Sequence, residues 1–169
     1  MSMYPIASYT VGSTSVASIT FSSIPQNFTH LQLRGFMHTS GGGGWIVANF
    51  NGDNTQSNYA LHYIEGSGSG VGSAGQAPSV IGGIGLGYLQ SNNASIFEVV
   101  ITDILDYTNT NKNKVTRAIG GSDENGSGYV RLNSGLWTNT SAITSIVLTN
   151  TGGNWVQYTT FQLYGITTA

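Results

Sequence analysis

A chain of 169 residues with only five basic and seven acidic side chains carries far less charge than the roughly 25% usual in soluble domains. That scarcity excludes a nucleic-acid binder that tracks phosphates with clustered Lys and Arg, and the lack of cysteine excludes a disulfide framework and thiolate-held metal. What remains is one domain over 1–169, kept soluble by Ser, Thr, Asn, Gln and backbone, a profile that suits a structural protein better than a metabolic enzyme.

The opening "MSMYPIASYT" has neither a positive start nor a long apolar stretch, so no secretory leader is expected and the chain reads as a cytoplasmic product. No run approaches the roughly 18 apolar residues that span a bilayer. Strands are predicted over 6–11, 16–21 and 31–37, from short alternating runs of β-branched and aromatic residues bounded by Gly, Asn, Ser or Pro. In the third, Leu31, Leu33 and Met37 share one face and Gln32, Arg34 and Phe36 the other. Strands at 46–50 and 59–64 flank "NGDN", where Asn51 and Gly52 supply positive-φ turn positions. The stretch therefore reads as a hairpin connection; Asp53 alone is poor charge for a calcium loop.

Nine of the 22 residues from 66 to 87 are Gly. The first half, "GSGSGVGSAGQAP", reads as a loop, and its formal G-x-G-x-x-G lacks the strand–helix setting of a dinucleotide site. The second half, "SVIGGIGLGYLQ", gives a weak strand over 81–89. Being apolar and rich in glycine, it is the candidate subunit or lattice contact, through Ile81, Ile84, Leu86, Tyr88 and Leu89.

The run 96–106 is apolar on both faces, with Phe97, Val99, Ile101 and Leu105 on one and Ile96, Val100 and Ile104 on the other. It is expected to be a central strand covered on both sides. Further strands are predicted over 114–119, 128–132, 143–148 and 160–166. "SITFSSIPQNFTHLQLRG" from Ser18 and "SIVLTNTGGNWVQYTTFQLYG" from Ser145 share one order of strand, polar turn, aromatic and Gln-Leu-x-Gly, and read as two related strand pairs near the two ends of one sandwich. The fold class is all-β: an antiparallel, jelly-roll-like β-sandwich of about eight to ten strands.

Chemistry-bearing constellations are sparse. His30 and His38 share strand parity, yet eight residues of extended chain hold them roughly 27 Å apart, so they cannot share an ion; either with His62 stays open. Glu98 and Asp103 face opposite sides of their strand, while Glu98 and Asp106 share a side but lie again roughly 27 Å apart, which suits no glycosidase pair. Glu98 and Asp103 are expected to pair with Arg34, Arg117 or backbone groups. Trp45, Trp137 and Trp155 abut Gly or Asn turns, where they either close the sandwich or offer a sugar-stacking platform. No enzyme activity, catalytic residue, metal ligand or cofactor is expected.

"IPQNFTHLQLRG", "NFNGDNTQSNYALHYIEGSG", "ILDYTNTNKNKVTRAIGG", "SGLWTNTSAITSIVL" and the terminal "FQLYGI", in that order over most of the chain, resemble small virion proteins of tailed bacteriophages. The resemblance implies a non-catalytic jelly-roll-like sandwich, often oligomeric, on the capsid surface or in the tail, and it transfers no site residue. Because no coiled-coil or triple-helical shaft accompanies the domain, the expectation is a capsid cement or decoration protein on the outer capsid surface. It would be homotrimeric and bound to the major capsid protein, with no nucleic acid or membrane partner. The alternative is a tail-fibre or baseplate-associated glycan-binding module.

Overall fold

A computed structural model describes residues 2–79, 81–90 and 93–168. Twelve strands are found among them: β1 (Ser2–Thr10), β2 (Ser18–Phe21), β3 (His30–Met37), β4 (Gly44–Phe50), β5 (Tyr59–Gly66), β6 (Val71–Gln76), β7 (Ile84–Leu89), β8 (Glu98–Ile104), β9 (Lys114–Asp123), β10 (Gly128–Trp137), β11 (Ile146–Asn150) and β12 (Thr160–Thr167). They form an eight-stranded sheet in the order β1-β12-β3-β8-β9-β10-β5-β6 and a four-stranded sheet in the order β2-β11-β4-β7. Every pairing is antiparallel.

The order β1-β12-β3-β8 over β2-β11-β4-β7 is the strand order of a jelly roll. Two hairpins are inserted into its connections. The pair β5–β6 follows β4, the pair β9–β10 follows β8, and both add to the free side of β8. One sheet is thereby twice as wide as the other. The sandwich core lies where the two overlap, built from inward residues such as Leu31, Leu33 and Met37 of β3, Ile46, Ala48 and Phe50 of β4, Ile146 and Leu148 of β11, and Phe161 and Leu163 of β12. The parity expected for β3 holds, since Leu31, Leu33 and Met37 are buried while Arg34 and Phe36 are exposed.

The two echoing sequence stretches become β2–β3 and β11–β12. Each crosses from the small sheet to the large one, and the copies lie side by side: β2 pairs with β11, and β3 with β12. Leu33 and Leu163 sit opposite each other in the register, so the internal likeness is a local quasi-two-fold.

Three expectations change. The strand count is twelve among the described residues, above the eight to ten anticipated. The tract from Val71 to Gln76, read as loop, is β6, an edge strand whose pairing with β5 stands in for the large side chains it lacks. β4 and β5 do not form a hairpin, because β4 belongs to the small sheet and β5 to the large one. The Asn51-Gly52 turn is present, with φ of 53° and 71° and an Asp53 N–H to Phe50 carbonyl bond of 2.9 Å, but it carries the chain between layers.

At one end of the sandwich the run Gly41–Gly44 crosses Gly152 and Gly153 with backbones touching. A Cβ at Gly152 would lie 1.4 Å from the carbonyl oxygen of Gly43. No side-chain rotamer relieves a clash with backbone, so Gly152→Ala is expected to cost about 1–3 kcal/mol in urea unfolding, by separating the two loops. Each loop leads to a tryptophan, Trp45 and Trp155, and Trp155 is fully buried against Phe161.

Candidate functional site

The small sheet leaves one surface of the large sheet without any cover from this chain. On that surface the outward positions of β3, β8, β9, β10, β5 and β6 line up by register into rows. One row reads Arg34, Ile101, Ile119, Leu132, Ile64, Ser73. The next reads Phe36, Val99, Gly121, Val130, Gly66, Val71. Beside them runs a polar row: Gln32, Asp103, Arg117, Ser134, His62, Gly75. Beyond it Leu105 and Val115 are apolar and exposed again.

An outward sheet face is ordinarily polar, because alternation puts only the inward residues against the core. Here Val130 is 62% exposed and Val71 94% exposed. Ten large apolar side chains crowd this face, and the eight in the two adjoining rows form one contiguous patch on the order of several hundred Å², the size at which such a patch marks an interaction surface. The run 96–106 is central, as expected, but covered on one side only: Val100 and Ile104 are buried, whereas Val99, Ile101 and Leu105 face outward.

Within the belt lies a depression of about 620 Å³ over Gly120 and Gly121, walled by Val99, Ile101, Ile119 and Val130. Gly121 has to be glycine for backbone reasons, since a Cβ there would sit 2.1 Å from the Tyr129 carbonyl oxygen. The dimple is therefore a fixed consequence of how closely β9 and β10 approach. Charge on the face is slight and internally matched: Asp103 lies 3.7 Å from Arg117 and accepts from Gln32 at 2.9 Å, while Arg34 stacks on Tyr164.

Other polar groups are tied into structure. Asp53 is the hub of the β4–β5 connection. Its carboxylate accepts from Trp137 Nε1 at 2.8 Å, Asn58 Nδ2 at 2.9 Å and Thr55 N at 2.9 Å. Its main-chain carbonyl accepts from Tyr59 Oη and Asn49 Nδ2. N–H donors converging on the carboxylate present positive ends where a cation would need oxygen, so this is anchoring geometry. Partial burial raises the Asp53 pKa, but the bonds from Trp137, Asn58 and Thr55 outweigh that and hold it at about 2. A carboxylate depressed below its unfolded value contributes stability above pH 4 and loses it as the pH falls toward 2. Asp53→Asn should lower stability by about 1–2 kcal/mol at pH 7, and the difference from wild type should vanish in urea titrations near pH 2.

Glu98 is buried and accepts from Tyr129 Oη at 2.6 Å and from the Gln90 N–H, so the expected backbone partner is found. Burial, and then the negative charge of Glu98, push the Tyr129 hydroxyl well above its ordinary pKa. Glu98 and Asp103 do lie on opposite faces. His30 Nδ1 accepts from the Asp106 N–H at 2.9 Å, His38 is buried beside Phe97, and His62 stands on the exposed face. Among the described residues no group of three or more His, Asp or Glu is placed to hold a metal ion.

Two placements bear on the sequence-derived candidates. Ile84, Leu86 and Leu89 of the proposed contact segment are core residues, buried as β7 packs across β9 and β10; only Ile81 and Tyr88 stay partly exposed. The strand's glycines, Gly85 and Gly87, are buried as well. Trp137 and Trp155 are also buried, in ring contacts with Phe50, Tyr59 and Phe161, which leaves Trp45 as the partly accessible tryptophan. Sequence reasoning named Val99, Ile101 and Leu105 as one apolar face but did not assemble the belt, whose other members come from five further strands. No family model matches the chain, and no curated protein matches it.

Proposed function

We propose that this is a structural, adhesive jelly-roll protein of a tailed-phage particle, a capsid cement or decoration protein whose outer sheet face joins subunits into an oligomer that bridges neighbouring major capsid proteins. The observation that carries the reading is the exposed apolar belt on a sheet face that alternation would otherwise make polar. A contiguous apolar patch of that size marks an interaction surface. The use of charge supports the same reading, since Asp53, Glu98, Lys114 and Arg131 are each engaged in holding strands or loops together. Mechanically, each clamp stabilises the shell by burying surface that internal pressure must re-expose before subunits separate.

Copy number tests it. Quantitative mass spectrometry of purified particles should find hundreds of copies, and immunogold should label heads. A few copies with label at the tail would replace it with the tail-module reading, and absence from particles would sink both.

A further inference from the structure

We propose that the belt pairs with the same belt of a second copy of this chain, face to face, about a two-fold axis running along the strands between β8 and β9. This rests on the adhesive reading above and names its first partner. The area is of the right order: several hundred Å² of exposed apolar side chain on β3, β8, β9 and β10 compares with the roughly 800 Å² per partner of a standard interface.

The register makes the four central strands of the face self-complementary. Rotation about that axis keeps each residue in its row and exchanges β8 with β9 of the other copy. Ile101 and Ile119 are register partners, so Ile101 of one copy meets Ile119 of the other, twice. Asp103 and Arg117 are register partners as well, so each Asp103 meets an Arg117 across the interface and no like charges face each other. Val99 is paired with Gly121, so Val99 of each copy stands over the dimple that Gly121 leaves in the other. In the same row Phe36 of β3 comes over Val130 of β10. Facing sheets pack about 10 Å apart and cross at roughly 30°, so these central strands make the tight contacts and the outer ones diverge. The occupant is therefore a twin, and the pairing is of two, not the three-fold arrangement expected from the sequence.

Sedimentation equilibrium of the purified chain decides it. Wild type should have the mass of a dimer at micromolar concentration. Ile119→Asp, on an exposed position, should raise the dimer dissociation constant by about 100-fold or more while the circular dichroism and melting remain those of a folded sheet protein. Asp103→Arg should weaken the dimer through two Arg–Arg encounters, and the reversal Asp103→Arg with Arg117→Asp should restore it. A monomeric wild type, a trimer, or a dimer indifferent to these variants overturns the proposal. Particle binding separates the two readings: a monomer that still enters particles through Ile101 and Ile119 overturns the pairing alone, whereas a dimer found in no particle overturns the virion role alone.

Discussion

Arg131→Leu is expected to lower the unfolding free energy by about 3–5 kcal/mol, the range for removing one member of a buried ionic arrangement. Arg131 points inward from β10, is only 5% exposed, and pairs with Glu65 on β5. Its guanidinium carbon lies 4.3 Å from the ring centre of Tyr63, 4.7 Å from Trp45, 5.2 Å from Tyr88 and 5.6 Å from Tyr129. Nε and Nη1 find no oxygen acceptor among the described residues, so aromatic faces are what they meet. The location explains the chemistry. The small sheet ends at β7, and the inner faces of β10 and β5 need cover from Trp45 and Tyr88; a flat cation fills the gap between four rings better than a branched aliphatic does. Leu leaves the rings without their shared partner and part of the space empty. Thermal melting should fall by roughly 10 °C, with Trp45 emission shifting to the red as water reaches it. Arg131→Lys should recover only part of the loss, because an ammonium stacks on fewer rings at once. A change of under 1 kcal/mol for Arg131→Leu would mean that the cage holds without its cation.

Lys114→Met should cost a similar amount, about 3–5 kcal/mol in urea unfolding. Lys114 is wholly buried at the start of β9, and its ammonium donates to the carbonyl oxygens of Asn109 at 2.7 Å, Thr140 at 2.9 Å and Lys112 at 3.0 Å. All three of its protons are used, and three loop carbonyls depend on one side chain. Met keeps the length of the stem but leaves those carbonyls without a donor, each a loss of about 1–3 kcal/mol where water does not enter. Burial, and next the charge of Lys112, lowers the Lys114 pKa below its ordinary value. Between the lowered folded value and 10.5 the unfolded chain binds the extra proton, so this group's contribution to stability rises with pH across that window. In Lys114→Met that alkaline rise should disappear, a second readout that simple loss of packing does not predict.

Much of the fold was legible because strands of an antiparallel sandwich write their burial as alternation. Leu31, Leu33 and Met37 against Arg34 and Phe36 is one case, and the echo that became β2–β3 beside β11–β12 is another. β6 escaped because Val71-Gly-Ser-Ala-Gly-Gln has almost no side chain to alternate; pairing with β5 alone makes it a strand. The sheet change between β4 and β5 escaped because Asn51-Gly52 turns the chain equally well within a sheet or between two. The belt was half legible. Hydrophobicity on both sides of β8 was plain, but a pattern reports what a side chain prefers to touch and not which molecule supplies it. Ile84, Leu86 and Leu89 lie inside, with Ile84 seated where Gly135 of β10 leaves room for it, a placement that local spacing does not announce. The cages around Arg131 and Lys114 draw their members from separate strands and loops, and nothing in local spacing announces them.

The seat of β12 governs when the molecule can be finished. It lies between β1 and β3, and β2 has only β11 for a neighbour, so β1 and β2 lack any lateral partner, and β3 has β8 alone, until residues 146–167 have left the ribosome. The hairpins β5–β6 and β9–β10 and the β8–β9 pair need no such wait, being close in sequence. During synthesis the outer surface of these hairpins can therefore take shape on a half-built chain before the interior has closed.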